Sequence, residues 1–103
     1  MCLKRRNEFR TNNSRKARGH PTYIYKKVGD DYYFIGITHS DVTQGAKNIK
    51  LDKNPNPNDK RDSYFRHFAS KDKTSKFGKK KKGWRLSFKD RLKAKKIKRN
   101  FRK

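Results

Sequence analysis

A chain of 103 residues with 32 Lys and Arg against 9 Asp and Glu carries a formal net charge of +23. That length accommodates one small domain and excludes a second, and a composition 40% charged and 29% hydrophobic excludes a large core. Five Tyr, seven Phe and one Trp nevertheless supply more buried area than a purely disordered basic tail would carry.

The charge points to nucleic acid as partner, because Lys and Arg displace the ions condensed on its backbone. An acidic protein comes second. A membrane surface comes last, since no basic segment has a broad apolar face. The single cysteine, Cys2, permits neither a disulfide framework nor a thiolate cluster. No apolar run approaches the ~20 residues of a membrane span. The basic N-terminus lacks the apolar stretch of a secretory signal. The expected location is cytoplasmic.

Residues 1–18 hold seven Lys or Arg and one acid, Glu8. They read as a disordered basic N-terminal arm. Thr22 to Val28 is strand-like, with Tyr23 and Tyr25 alternating with Ile24 and the lysines. Gly29-Asp30-Asp31 marks a turn. Tyr32 to Thr38 is the clearest strand, with Tyr33, Ile35 and Ile37 on one face, and the short connection makes the pair a hairpin.

His39 to Lys47 reads as a loop or one helical turn, and Asn48 to Leu51 as a short strand. Asn54-Pro55-Asn56-Pro57-Asn58-Asp59 cannot be helix, because two prolines one residue apart enforce an extended path. Ser63 to Phe68 alternates as a third strand. Lys71 to Lys82 is basic, low in complexity and punctuated by glycine, hence a mobile loop. Trp84 to Leu86 reads as a last strand. Ser87-Phe88-Lys89-Asp90 reads as an N-cap with an acid in the first turn, opening a basic helix to about Arg99.

These elements predict an α+β domain: a small antiparallel sheet of 3–5 strands, a basic C-terminal helix and the disordered arm. The organisation is an arm at 1–18, a sheet body at 19–86 with a mobile basic loop at 71–83, and a helix and tail at 87–103. The cations expected to track phosphates are Lys4, Arg5, Arg6, Arg15 and Arg18, then Lys79, Lys80, Lys81 and Lys82, then Arg85, Arg91, Lys95 and Lys98. Rings interleaved with them would stack bases or build the core; Tyr33, Phe34, Phe65 and Trp84 are assigned to the core.

Two histidines carry the strongest chemical signal. His20 enters the first hairpin strand and His39 leaves the second. Antiparallel pairing puts entry and exit at the same end of the sheet. Two imidazoles there can divide acid and base duties, or simply bend and cap the chain. In Asp59-Lys60-Arg61-Asp62-Ser63-Tyr64, Arg61 is a phosphate clamp that Asp59 or Asp62 could orient, with the Ser63 and Tyr64 hydroxyls close by. The alternative is a solvated charged turn.

Phe77-Gly78-Lys79-Lys80 lacks the Ser/Thr and the glycine-rich approach of a phosphate-binding loop. No His, Cys and carboxylate set has metal-ligand spacing, and no cofactor is expected. The metal-free reaction that uses two imidazoles, a cation and a hydroxyl is RNA cleavage through the 2′-hydroxyl.

Three strings carry a resemblance: His20-Pro21-Thr22-Tyr23-Ile24-Tyr25, Ile35-Gly36-Ile37-Thr38-His39-Ser40, and Asn54-Pro55 through Ser63-Tyr64. They resemble those of small proteins of bacterial mobile elements and phages. In outline, over about residues 19–99, they are similar to the barnase/EndoU/colicin/RelE superfamily of metal-independent ribonucleases. That resemblance implies a toxin-like endoribonuclease with His20, His39, Arg61, Ser63 and Tyr64 as catalytic candidates, and an acidic inhibitor protein as a second partner. The chain departs from the superfamily in lacking an N-terminal helix and a Glu within the predicted sheet. The rival reading is a non-catalytic RNA-binding or ribosome-associated protein with basic tails. No helix-turn-helix pattern supports a DNA-binding role.

Overall fold

The computed structural model describes residues 3–15 and 19–102, with side chains from Arg6 onward. The elements are β1 (Leu3–Asn12), β2 (His20–Val28), β3 (Asp31–Thr38), β4 (Val42–Thr43), β5 (Ala46–Lys47), β6 (Ile49–Lys50), β7 (Tyr64–Lys73), a 3₁₀ turn (Thr74–Lys76) and α1 (Phe88–Ile97). Five strands form one antiparallel sheet in the order β1-β2-β3-β7-β6, and β4 and β5 form a separate two-stranded hairpin. This is a small α+β domain with a C-terminal helix.

The β2–β3 hairpin sets the frame. Tyr23 pairs with Ile35 and Ile24 with Phe34, so alternation sends Tyr23, Ile35 and Ile37 to one face. There they join Phe9, Tyr25, Leu51, Phe65, Ala69 and Leu86, and α1 closes the cluster with Ala94 and Ile97. Burying a ring such as Phe65, which is fully enclosed, contributes about 1.5–3 kcal/mol. Ile24 and Phe34 point to the opposite face.

The N-terminal arm is corrected over Leu3–Asn12, which form the edge strand β1 paired along β2. The physical reason is local: Phe9 is buried between Tyr23 and Trp84. Beside it the Glu8 carboxylate is held by Arg6 and Arg10, each at 2.8 Å. A Glu therefore does lie in the sheet. The sheet body accordingly begins at β1 rather than at residue 19.

The 71–83 segment also takes structure. Residues 71–73 finish β7, and the next residues fold into the 3₁₀ turn. The chain then runs back along β1, with Gly78 N–H donating to Thr11 O (2.9 Å) and Lys81 N–H to Phe9 O (2.7 Å). This covers the outer edge of β1. The far edge of β7 is covered by β6 and by the chain end, where Ala69 N–H donates to Asn100 O and Arg102 N–H to Ala69 O.

Residues 39–47 hold the β4–β5 hairpin, turned by Gln44 (φ 51°) and Gly45 (φ 78°). Positive φ at both central residues is the turn that matches strand twist. Residues 84–86 pair with no strand, although Arg85 N–H donates to Pro55 O. At α1 the Ser87 Oγ accepts from Asp90 N–H as anticipated. The Asp90 carboxylate reaches elsewhere, accepting from Asp52 N–H (2.7 Å) and Lys53 N–H (3.3 Å). Among the described residues no helix is long and apolar enough to cross a membrane.

Candidate functional site

The start of β2 and the exit of β3 meet at one end of the sheet, as antiparallel pairing requires. A cleft of about 390 Å³ opens there. His20 and His39 line one part of it, Asp59, Arg61 and Ser63 another, and Trp84 closes a side. Four segments distant in sequence converge on this space.

The loop between β6 and β7 explains how Arg61 gets there. Proline removes backbone donors, and the alternating asparagines supply acceptors for the donors that remain. Asn54 Oδ1 accepts from Asn56 N–H, and Asn56 Oδ1 from Asn58 N–H, both at 3.0 Å. These are Asx turns, which hold an otherwise irregular path. Asn54 Nδ2–H donates to Arg61 O (3.1 Å), and Leu51 N–H to Ser63 O (2.9 Å). The loop is pinned at its start by Asp90.

Asp59 is the electrostatic centre of the cleft. Its carboxylate takes two hydrogen bonds from the Arg61 guanidinium, 3.0 and 2.8 Å, and one from Arg61 N–H, 3.0 Å. These bonds from Arg61 hold the Asp59 carboxyl far below the ordinary carboxylate range. The same pairing raises Arg61. Asp59 Oδ2 also lies 3.6 Å from His39 Nε2.

His39 is oriented from its other side. Its Nδ1 lies 2.8 Å from Asp62 O. A carbonyl can only accept, so Nδ1 carries the proton and donates. In the neutral ring this leaves the Nε2 lone pair directed toward Asp59 and the cleft. Arg61 is largely exposed (71%), with its guanidinium held on Asp59. Ser63 is the opposite case: it is 2% exposed, and its Oγ has no hydrogen-bond partner among the described residues. A buried hydroxyl left unpaired is costly and marks a place where a ligand atom would be welcome.

Of the sequence-derived candidates, His20, His39, Arg61 and Ser63 share this cleft. Tyr64, one residue on, pairs with Thr38 and Lys50 in the sheet, and the cleft is not lined by it. Sequence reasoning missed Trp84 as a wall and the Asp62 carbonyl as the anchor of His39. Neither of these had a signal in the sequence, whereas the histidine pair and the Asp59–Arg61 spacing did.

The expected phosphate-tracking cations are spread over the surface. Arg6 is paired with Glu8 and lies over the Tyr32 ring at 5.8 Å. Lys98 Nζ sits 4.7 Å from the Tyr25 ring centre and Lys81 Nζ 5.9 Å from that of Trp84. Lys95 and Lys98 border a second, larger cleft with Tyr25, Tyr33 and Phe101. Arg15, Lys79, Lys80, Lys82, Arg85 and Arg91 are exposed. The side chains of Lys4 and Arg5, and all of Arg18, lie outside the described residues. The chain matches no known protein family, no curated protein and no solved structure.

Proposed function

We propose that the protein binds RNA and cleaves it as a metal-independent endoribonuclease acting through the 2′-hydroxyl, in the manner its resemblance to the barnase/EndoU/colicin/RelE superfamily implies. The observation that carries this reading is the convergence of two imidazoles, an exposed guanidinium and a buried hydroxyl with no partner among the described residues in one cleft of a +23 protein.

One imidazole takes the 2′ proton while the 2′ oxygen bonds to phosphorus. The bond from phosphorus to the 5′ oxygen then breaks, and the other imidazole supplies the proton to that leaving oxygen. The products are a 2′,3′-cyclic phosphate and a 5′-hydroxyl. Arg61 exchanges Asp59 for a phosphate oxygen and offsets the charge that builds on the phosphorane, and Ser63 Oγ–H donates to another. Asp62 O keeps the His39 ring in place through the cycle.

The site would act on cytoplasmic RNA, with an acidic inhibitor protein as the natural counterpart of so basic a surface. A second reading is favoured by the Asp59 carboxylate, which already engages the cation of the cleft: a non-catalytic RNA-binding or ribosome-associated protein.

The test is incubation of labelled RNA with purified protein in excess EDTA, followed by end-group analysis. Wild type should leave cyclic phosphate ends. His39→Ala and His20→Ala should bind RNA with nearly unchanged affinity and not cleave it. A mobility shift without cleavage by wild type would overturn the catalytic reading and leave the binding one.

A further inference from the structure

The sheet face opposite α1 carries a second constellation. Phe34 and Gly36 alternate with the core residues Ile35 and Ile37, so they face away from the helix. Next to them the β3–β7 register slips. Ile35 pairs with Ala69 and Ile37 with Phe65, which sets three residues of β7 against Gly36 alone. This bulge brings Arg66 and Phe68 together to the same side. With Phe34, Ser70 and Arg102 they line a cleft of about 600 Å³.

Three details show that the cleft is built around a guanidinium. A Cβ on residue 36 would lie 2.9 Å from Arg66 Cδ, so the glycine is what lets the Arg66 stem lie flat on the sheet. Arg66 Nε is buried and has no hydrogen-bond partner among the described residues. An N–H of a cation without an acceptor is a costly group to leave so. Arg102 extends the pattern, with its guanidinium 4.7 Å from the centre of the Phe68 ring. One acid, Asp72, borders the cleft.

We infer that this face holds a segment of single-stranded RNA, with bases stacked on Phe34 and Phe68 and phosphates taken by Arg66 and Arg102. Flat rings alternating with planar cations match the alternation of base and phosphate. An acidic peptide would satisfy the cations but bring no flat group to Phe34 and Phe68. The inference rests on RNA as the ligand and is independent of cleavage.

The experiment uses a 2′-O-methyl oligouridylate, which cannot be cleaved through its 2′ position, and reads binding by fluorescence anisotropy at fixed salt. An abasic oligomer of equal charge and polyglutamate serve as comparators. Phe68→Leu and Arg66→Gln should each weaken binding of the oligouridylate about tenfold, corresponding to about 1.4 kcal/mol and within the range for one stacked base. Phe68→Tyr should retain affinity, which separates loss of the ring from loss of fold. The abasic oligomer, which forgoes both stacks, should bind wild type more weakly than the oligouridylate binds Phe68→Leu.

Oligouridylate binding that is unchanged in Phe68→Leu and Arg66→Gln would overturn this inference while leaving RNA binding in place. Equal affinity for polyglutamate, with the same sensitivity to the variants, would assign the face to an acidic protein instead. Failure of wild type to bind the oligouridylate at all would overturn both this inference and the RNA reading of the whole protein.

Discussion

Replacing Asp90 with Ala tests how the histidine cleft is held. Asp90 is fully buried at the first turn of α1, and its carboxylate is the acceptor for Asp52 N–H and Lys53 N–H. Lys93 Nζ lies 3.3 Å away. In the variant the shorter of the two backbone bonds leaves a part-buried donor unsatisfied, a cost of about 1–3 kcal/mol. Loss of a negative charge at the helix N-terminus adds about 0.3–1 kcal/mol. The Lys53 bond is longer, at 3.3 Å, so its loss adds less. The expected loss is about 1–4 kcal/mol, or a fall in Tm of roughly 5–20 °C for a domain of this size. Asp90→Asn keeps the volume and one acceptor oxygen and should lose about half as much.

Urea unfolding followed by the fluorescence of Trp84, the only tryptophan, gives both values. The m value should not change. Leu92→Ala, on the exposed face of the same helix, serves as the control. If Asp90→Ala fell within about 0.5 kcal/mol of wild type, the level of an ordinary surface change, the carboxylate would not be pinning the loop and the reasoning would fail. Because the same bonds fix the start of the segment that ends in Asp59 and Arg61, the cleavage proposed above should also drop in Asp90→Ala well below its melting temperature.

Two further outcomes follow from titrating groups. Burial alone would raise the Glu8 carboxyl, but the hydrogen bonds from Arg6 and Arg10 outweigh it and hold the group below its ordinary 4.5. The stability it contributes is present above about 4.5 and lost as the pH falls through the lower, folded value. Acid unfolding of Glu8→Gln should therefore be less steep than that of wild type, and identical acid transitions would refute the role of this pair. Burial, with Tyr33 adding to it, pushes the Tyr25 phenol up to about 12. Its neutral form favours the folded state, so stability is complete below pH 10 and declines as the pH rises toward 12. Tyrosinate absorbance should show a late fraction that is lost in Tyr25→Phe; an unchanged curve would refute the assignment.

The β2–β3 hairpin and the α1 cap were legible because each is a local pattern: alternation about Gly29-Asp30 in one case, Ser87 three residues before Asp90 in the other. The strand β1 was not, because Leu-Lys-Arg-Arg-Asn-Glu-Phe-Arg has one ring amid charges. Its strand character comes from β2 and from burial of Phe9, a tertiary cause that no local window contains. The lysine-rich segment after β7 was misjudged for the same reason, since it joins β1 through backbone groups that composition does not display. Within the cleft, His20 and His39 could be placed together from strand pairing alone. The anchoring of His39 by a carbonyl could not, because a backbone oxygen carries no signature in the residue that owns it.

The coverage of both sheet edges has a kinetic consequence. The bonds that seal β1 join distant parts of the chain, as Arg10 reaching Gly78 across 68 positions illustrates. The seal on β7 includes the last described residues. Pairings of such long range form late, after their closure entropy has been met. For part of its folding time the chain therefore exists as a hairpin sheet with two bare edges, the species most prone to join edge to edge. At a net charge of +23, mutual repulsion keeps those species apart at low ionic strength. Salt that screens the charge should convert refolding yield into aggregate. The charge proposed above to attract RNA would thus also protect the chain during the interval before its edges close.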